Sequence, residues 1–166
     1  MHKKSFTFVV VLCLYVIALV GCRKEQRPDG MPPLVPCEIS VTQDGNPLDG
    51  ATVGLVAEKD ASGKVWLVNG HTGPNGVAVI KTYGRFTGAP INKYKVTVFK
   101  EETEKVGPVY IDKDTGREKQ ETHYYHLVEP ALAMADTSTL ELEVVKGTKR
   151  YTVDVGKAVR VEIQMP

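Results

Sequence analysis

Cysteine is scarce in this chain: its 166 residues include three, Cys13, Cys22 and Cys37. Disulfide-stapled domains need an even, closely spaced set, so ordinary apolar packing must hold this one together. A basic cluster is missing as well. Its 21 Lys and Arg are scattered against 20 Asp and Glu, and a pI near 7.7 argues against the concentrated positive face of a nucleic-acid binder. Catalytic motifs are equally thin. There is no His-Glu-x-x-His, no Gly-x-Ser-x-Gly and no phosphate-cradling glycine loop, which excludes the commonest metalloprotease, serine-hydrolase and nucleotide-binding chemistries. The residues thus point to a non-enzymatic protein with no cofactor. Finally, no apolar run reaches the roughly 20 residues of a membrane-spanning helix.

The apolar run that does exist is informative. His2, Lys3 and Lys4 are followed by an apolar stretch from Phe6 to Val20, broken by Thr7 and Tyr15, and no acidic residue precedes Glu25. A basic start and a short apolar segment make a secretion signal over residues 1–21. An uncleaved anchor helix is the alternative, and the shortness of the run weighs against it. Leu19-Val20-Gly21-Cys22 resembles the lipobox of bacterial lipoproteins, in which a small residue lets the peptidase reach the backbone and the cysteine takes up the lipid. The resemblance implies cleavage between Gly21 and Cys22, lipidation of Cys22 and a membrane anchor. Arg23 stands where an inner-membrane sorting signal such as Asp would stand, which favours the outer membrane by the same resemblance. Loss of Cys13 with the signal and lipidation of Cys22 would leave Cys37 as the one free thiol, a small buried hydrophobe.

Residues 22–33, with Arg23-Lys-Glu-Gln-Arg-Pro-Asp-Gly-Met-Pro-Pro33, hold too few apolar side chains to pack and read as a flexible tether. From residue 34 to 166 short β-branched runs alternate with Gly, Pro, Asn and Asp clusters, and no helical apolar period persists. Eight strands are predicted, over residues 34–42, 51–58, 64–69, 77–82, 93–100, 139–145, 149–155 and 158–164. The fold class is therefore all-β, a seven- to eight-stranded antiparallel sandwich. The charged run Glu101-Glu-Thr-Glu-Lys105 closes the fifth strand. After it, residues 107–138 form a long polar insertion loop, the best place for a site, with a short helix at 130–134.

Three segments carry a family resemblance. Gly45-Asn-Pro-Leu-Asp-Gly-Ala51, Thr72-Gly-Pro-Asn-Gly-Val-Ala78 and Gly88-Ala-Pro90 before Tyr94-Lys-Val-Thr-Val98 stand in order, and together they resemble the carboxypeptidase regulatory-like, transthyretin-like domains. The stretch from Pro130 to Val155 is further similar to small planctomycete-type lipoproteins with such a domain. The resemblance implies a transthyretin-like, immunoglobulin-like sandwich that serves as an accessory module, and it brings no catalytic residue.

The remaining candidates are His123 and His126 as weak metal ligands, with His71, Glu121 or Glu129 as a possible third; Asp112-Lys-Asp-Thr-Gly116 as a solvated turn that loosely resembles a calcium loop; and Trp66, Tyr124 and Tyr125, with Tyr83, Phe86 and Tyr110, as a sugar-stacking face. In a strand, residues three apart face opposite ways, so the two histidines would meet in a helical turn and not in a sheet. The expectation is a lipid-anchored envelope protein whose sandwich has a structural or protein-interaction role; the alternative is a carbohydrate-binding surface module. Its partners are then the membrane and an envelope protein or polysaccharide. Replacing Cys22 with Ser should leave the precursor at full length and unlipidated on a gel shift and by mass; normal maturation of that variant would refute the lipobox.

Overall fold

The computed structural model describes residues 26–57 and 64–164. The signal segment, the cleavage site at Gly21 and Cys22, and the first tether residues lie outside them. From the tether, Met31 donates a backbone hydrogen bond to Pro28 O at 3.1 Å, and the compact unit begins at Pro32. It is all-β and sandwich-like. In chain order the strands are β1 (Leu34–Val35), β2 (Glu38–Gln43), β3 (Asn46–Pro47), β4 (Thr52–Ala57), β5 (Val68–His71), β6 (Val77–Val79), β7 (Lys81–Thr82), β8 (Phe86–Thr87), β9 (Ala89–Pro90) and β10 (Asn92–Phe99). β11 (Glu101–Ile111), β12 (Glu118–His126), β13 (Glu141–Val144), β14 (Arg150–Asp154) and β15 (Val161–Glu162) complete them, with a 3-10 helix at Pro130–Ala133 after β12.

Alternation builds the core. Ile39 and Val41 in β2, Val53 and Leu55 in β4, and Tyr94, Val96 and Val98 in β10 are all buried, while the residues between them face outward. A six-stranded sheet in the order β13-β10-β4-β5-β7-β8 and a second sheet of β14-β2-β3, with β6 also on β2, contribute to one buried cluster. Each fully buried Val, Leu or Ile stabilises the fold by about 1.5–3 kcal/mol, so these few strands supply most of the driving force.

Several expected strands are divided, each for a local reason. Pro36 has no N–H, and the first strand breaks there: β1 pairs with β9, and β2 pairs with β6 and β14. The expected strand over 77–82 breaks at Ile80, where the chain crosses from one sheet to the other. Before it, Val79 lies opposite Glu38; after it, Lys81 and Thr82 pair with Asn69 and Val68. Ile80 is itself wholly buried, and its N–H donates to Cys37 O at 3.0 Å. The expected strand at 64–69 begins only at Val68. Nor is the pairing wholly antiparallel: β14 runs parallel to β2, from Arg150 opposite Glu38 to Asp154 opposite Thr42. More than 100 residues separate the two, so no tight hairpin constrains their direction.

The largest correction concerns residues 107–138, which are not a loop. The charged run at 101–105 continues as β11, which pairs with β12 along a long hairpin, and residues 127–138 return to the core. Val128 and Leu132 are buried there, and Ser138 Oγ donates to Val96 O at 2.5 Å. A strand of charged side chains is possible because neither face of this hairpin has to meet a core.

The first two motif segments meet in the sandwich. Thr72 is buried and its Oγ1 accepts from the Ala51 N–H at 2.8 Å, joining the first motif to the second. Gly76 turns at φ +70°, and a Cβ there would stand 2.8 Å from Val41 O and 2.9 Å from Pro47 Cβ. Gly76→Ala should therefore cost about 2–4 kcal/mol in urea denaturation, combining left-handed strain with a clash. Gly116→Ala also has positive φ but open space around it, and should cost about 1 kcal/mol.

Candidate functional site

The hairpin of β11 and β12 is the feature that the core does not explain. Its residues are exposed or half-buried throughout, with none fully buried. The register runs from Glu101 opposite His126 to Val106 opposite Glu121, then slips, so that Tyr110 faces Lys119. Three residues of β11 match one of β12 at the slip. Gly107 accommodates the excess at φ +73°, and its carbonyl accepts from Gln120 Nε2 at 2.8 Å. At the distal end Val109, Tyr110 and Ile111 are more than half exposed.

Asp112 closes the tip. Its Oδ1 accepts from the Asp114 and Thr115 N–H groups at 3.1 and 2.8 Å and from Thr115 Oγ1 at 2.8 Å, and its Oδ2 pairs with Lys119. Lys119 first, then Thr115, hold its carboxyl well below the usual range, at about 2. The turn at 112–116 is thus built on one carboxylate whose oxygens are both engaged.

Pairing places Glu102 beside Tyr125 and Glu104 beside His123 on one face, with Glu121 two residues before His123. The C-terminal segment extends this sheet along the other edge of β12. β15 pairs with β12 through Tyr125 opposite Glu162 and His126 opposite Val161, and Ile163 N donates to Tyr124 O at 2.8 Å. Arg160 lies over the Tyr125 ring, its guanidinium carbon 3.5 Å from the centroid, and pairs with Glu102 at 3.2 Å and with Glu104. His123 Nδ1 stands 2.5 Å from Glu162 Oε1, and its Nε2 stands 3.2 Å from Glu121 Oε1. Glu121 foremost raises the His123 pKa above its ordinary value, burial opposes it, and Glu162 adds to the rise.

The other candidates are dispersed. His123 and His126 are both in β12, three apart, so they face opposite ways, and His123 is committed to two carboxylates. Among the described residues no group of three or more His, Cys, Asp and Glu is arranged to hold a metal ion. Tyr124 and Tyr125 also face opposite ways. Trp66 lies ahead of β5, half-buried against the core and edge-on to Tyr83 at 5.7 Å, while Phe86 is buried, so the six aromatics do not share one face. Cys37 is buried too. Burial first, then the Glu38 charge, push its thiol up to about 11, which leaves little thiolate at neutral pH. An open hollow of about 370 Å³ beside β10 and β13 is walled by Lys93, Tyr94, Glu141, Leu142 and Glu143, a more charged lining than ligand pockets usually have.

Sequence reasoning missed Glu102, Glu104, Arg160 and Glu162 as partners of this site. Alternation could have grouped Glu102 with Glu104, Glu121 with His123 and Tyr125, and Arg160 with Glu162, because residues two apart share a strand face. Nothing in the sequence joins the three groups. No family model, no curated protein and no solved structure matches the chain.

Proposed function

We propose that this chain is a membrane-anchored, non-enzymatic envelope lipoprotein, in which a transthyretin-like sandwich presents the β11–β12 hairpin to a partner protein of the envelope. The observation that carries this reading is a hairpin of two long strands that buries no residue of its own yet is fixed in register, capped at Asp112 and braced by Arg160. A lone two-stranded ribbon is marginal in water, so a braced one that ends in exposed Val109, Tyr110 and Ile111 suits contact with another molecule. The lipobox at Cys22 supports the anchor, and the three turn motifs support the family.

A second reading, a carbohydrate-binding surface module, rests on the edge-on Trp66 and Tyr83 pair, since Tyr83 is exposed enough to stack on a sugar ring. Capture from native envelopes with the full chain as bait separates the two. One partner protein should be retained by the parent and lost when Tyr110 and Ile111 are both changed to Ala. Retention by that variant contradicts the protein-docking reading. Binding on a glycan array that disappears in Trp66→Ala supports the second.

A further inference from the structure

We propose that the C-terminal segment is a pH-operated latch on the hairpin: doubly protonated His123 bridges Glu121 and Glu162 and closes β15 onto β12, and loss of its proton lets β15 open. The latch rests on geometry alone, whatever the hairpin binds. Both imidazole nitrogens face carboxylate oxygens, Nδ1 at Glu162 and Nε2 at Glu121. A neutral ring has one N–H and donates to one of them, whereas an imidazolium donates to both.

The charges around the ring determine the effect of deprotonation. From β12, Glu121 and Tyr125 face His123; from β11, Glu104 lies opposite, with Glu102 next along that face; from the C-terminal segment come Glu162 and Arg160. With the ring neutral, four carboxylates on this face are left with the Arg160 guanidinium. Glu162 then loses its cation while Glu102 and Glu104 keep theirs. The backbone hold on β15 is short, two register pairs and the Ile163 bond, and the Arg160 contacts with Glu102, Glu104 and Tyr125 brace the residue before it. Among the described residues the His123 clamp is thus the one hold on the Glu162 carboxylate itself.

The direction of the pH effect follows from the same geometry, because two carboxylates at the ring favour its charged form and raise the His123 pKa. A group whose pKa is higher in the closed state stabilises that state fully below its open-state value and ceases to do so as pH rises through the closed-state value. The latch is therefore closed below the ordinary histidine range and opens as pH rises above it.

The test is amide hydrogen exchange of Ile163 in the full chain from about pH 5 to 9, corrected for intrinsic exchange. Protection should be level at low pH and then fall by up to about tenfold per pH unit, the limit for one proton. The Val96 amide, which donates to Leu140 O at 2.9 Å in the core, should keep its protection throughout and so report an intact fold. His123→Gln and, separately, Glu162→Gln should remove the slope. Arg160→Gln should lower Ile163 protection at every pH and leave the slope. A flat profile in the parent, a slope that survives in His123→Gln, or a parallel loss at Val96 would overturn the latch.

Discussion

The passage of the chain through Ile80 is the constraint on which the rest depends. With β6 in one sheet and β7 in the other, this one buried residue ties both sheets to a common core. Close packing is the result. A Cβ at Gly70 would stand 2.8 Å from Val79 O and 3.1 Å from Ile80 Cδ1, so the strand beside the crossing can carry no side chain there. Cys37, whose carbonyl receives the Ile80 N–H, is enclosed for the same reason, and its thiol is a packing group.

The hairpin obeys a different rule. It enters after β10 and leaves into Val128 and Leu132, which are core residues, so its base is fixed although its length is not packed. Leu127 N donates to Lys100 O at 2.9 Å across that base, and Gln43 Nε2 donates to Leu127 O at 2.8 Å, joining it to β2. Beyond the base, paired charges and ring contacts replace burial. Exposed ion pairs contribute little each, about 0–1 kcal/mol, and their value here is to fix register and to brace a surface. On the proposed reading this division lets the exposed surface change for a partner without disturbing the core.

How legible this was depended on burial. Ile39, Val41, Val53, Leu55, Val96 and Val98 were readable because a strand with one buried face alternates in hydropathy. β11 and β12 were not, since a ribbon wet on both faces leaves no such trace, and Glu101-Glu-Thr-Glu-Lys105 reads as an end to structure. The sheet crossing at Ile80 was hidden because the apolar pattern runs straight through it. In the site, His123 and Tyr125 stood out by residue type. Arg160 lies 58 residues from Glu102, and only three-dimensional pairing places them together. The strand at 149–155 was readable, and its parallel pairing with β2 was hidden for the same reason of distance.

The central claim is that the sandwich-like core holds itself and that the outer part of the hairpin is carried by it. The most direct measurement replaces residues 107–120 with Asn-Gly, a two-residue turn suited to joining Val106 to its partner Glu121, and compares urea unfolding with the parent. The expected result is an unfolding free energy within about 1 kcal/mol of the parent and a single cooperative transition. A loss of more than about 3 kcal/mol, a large share of a small domain's stability, would contradict it.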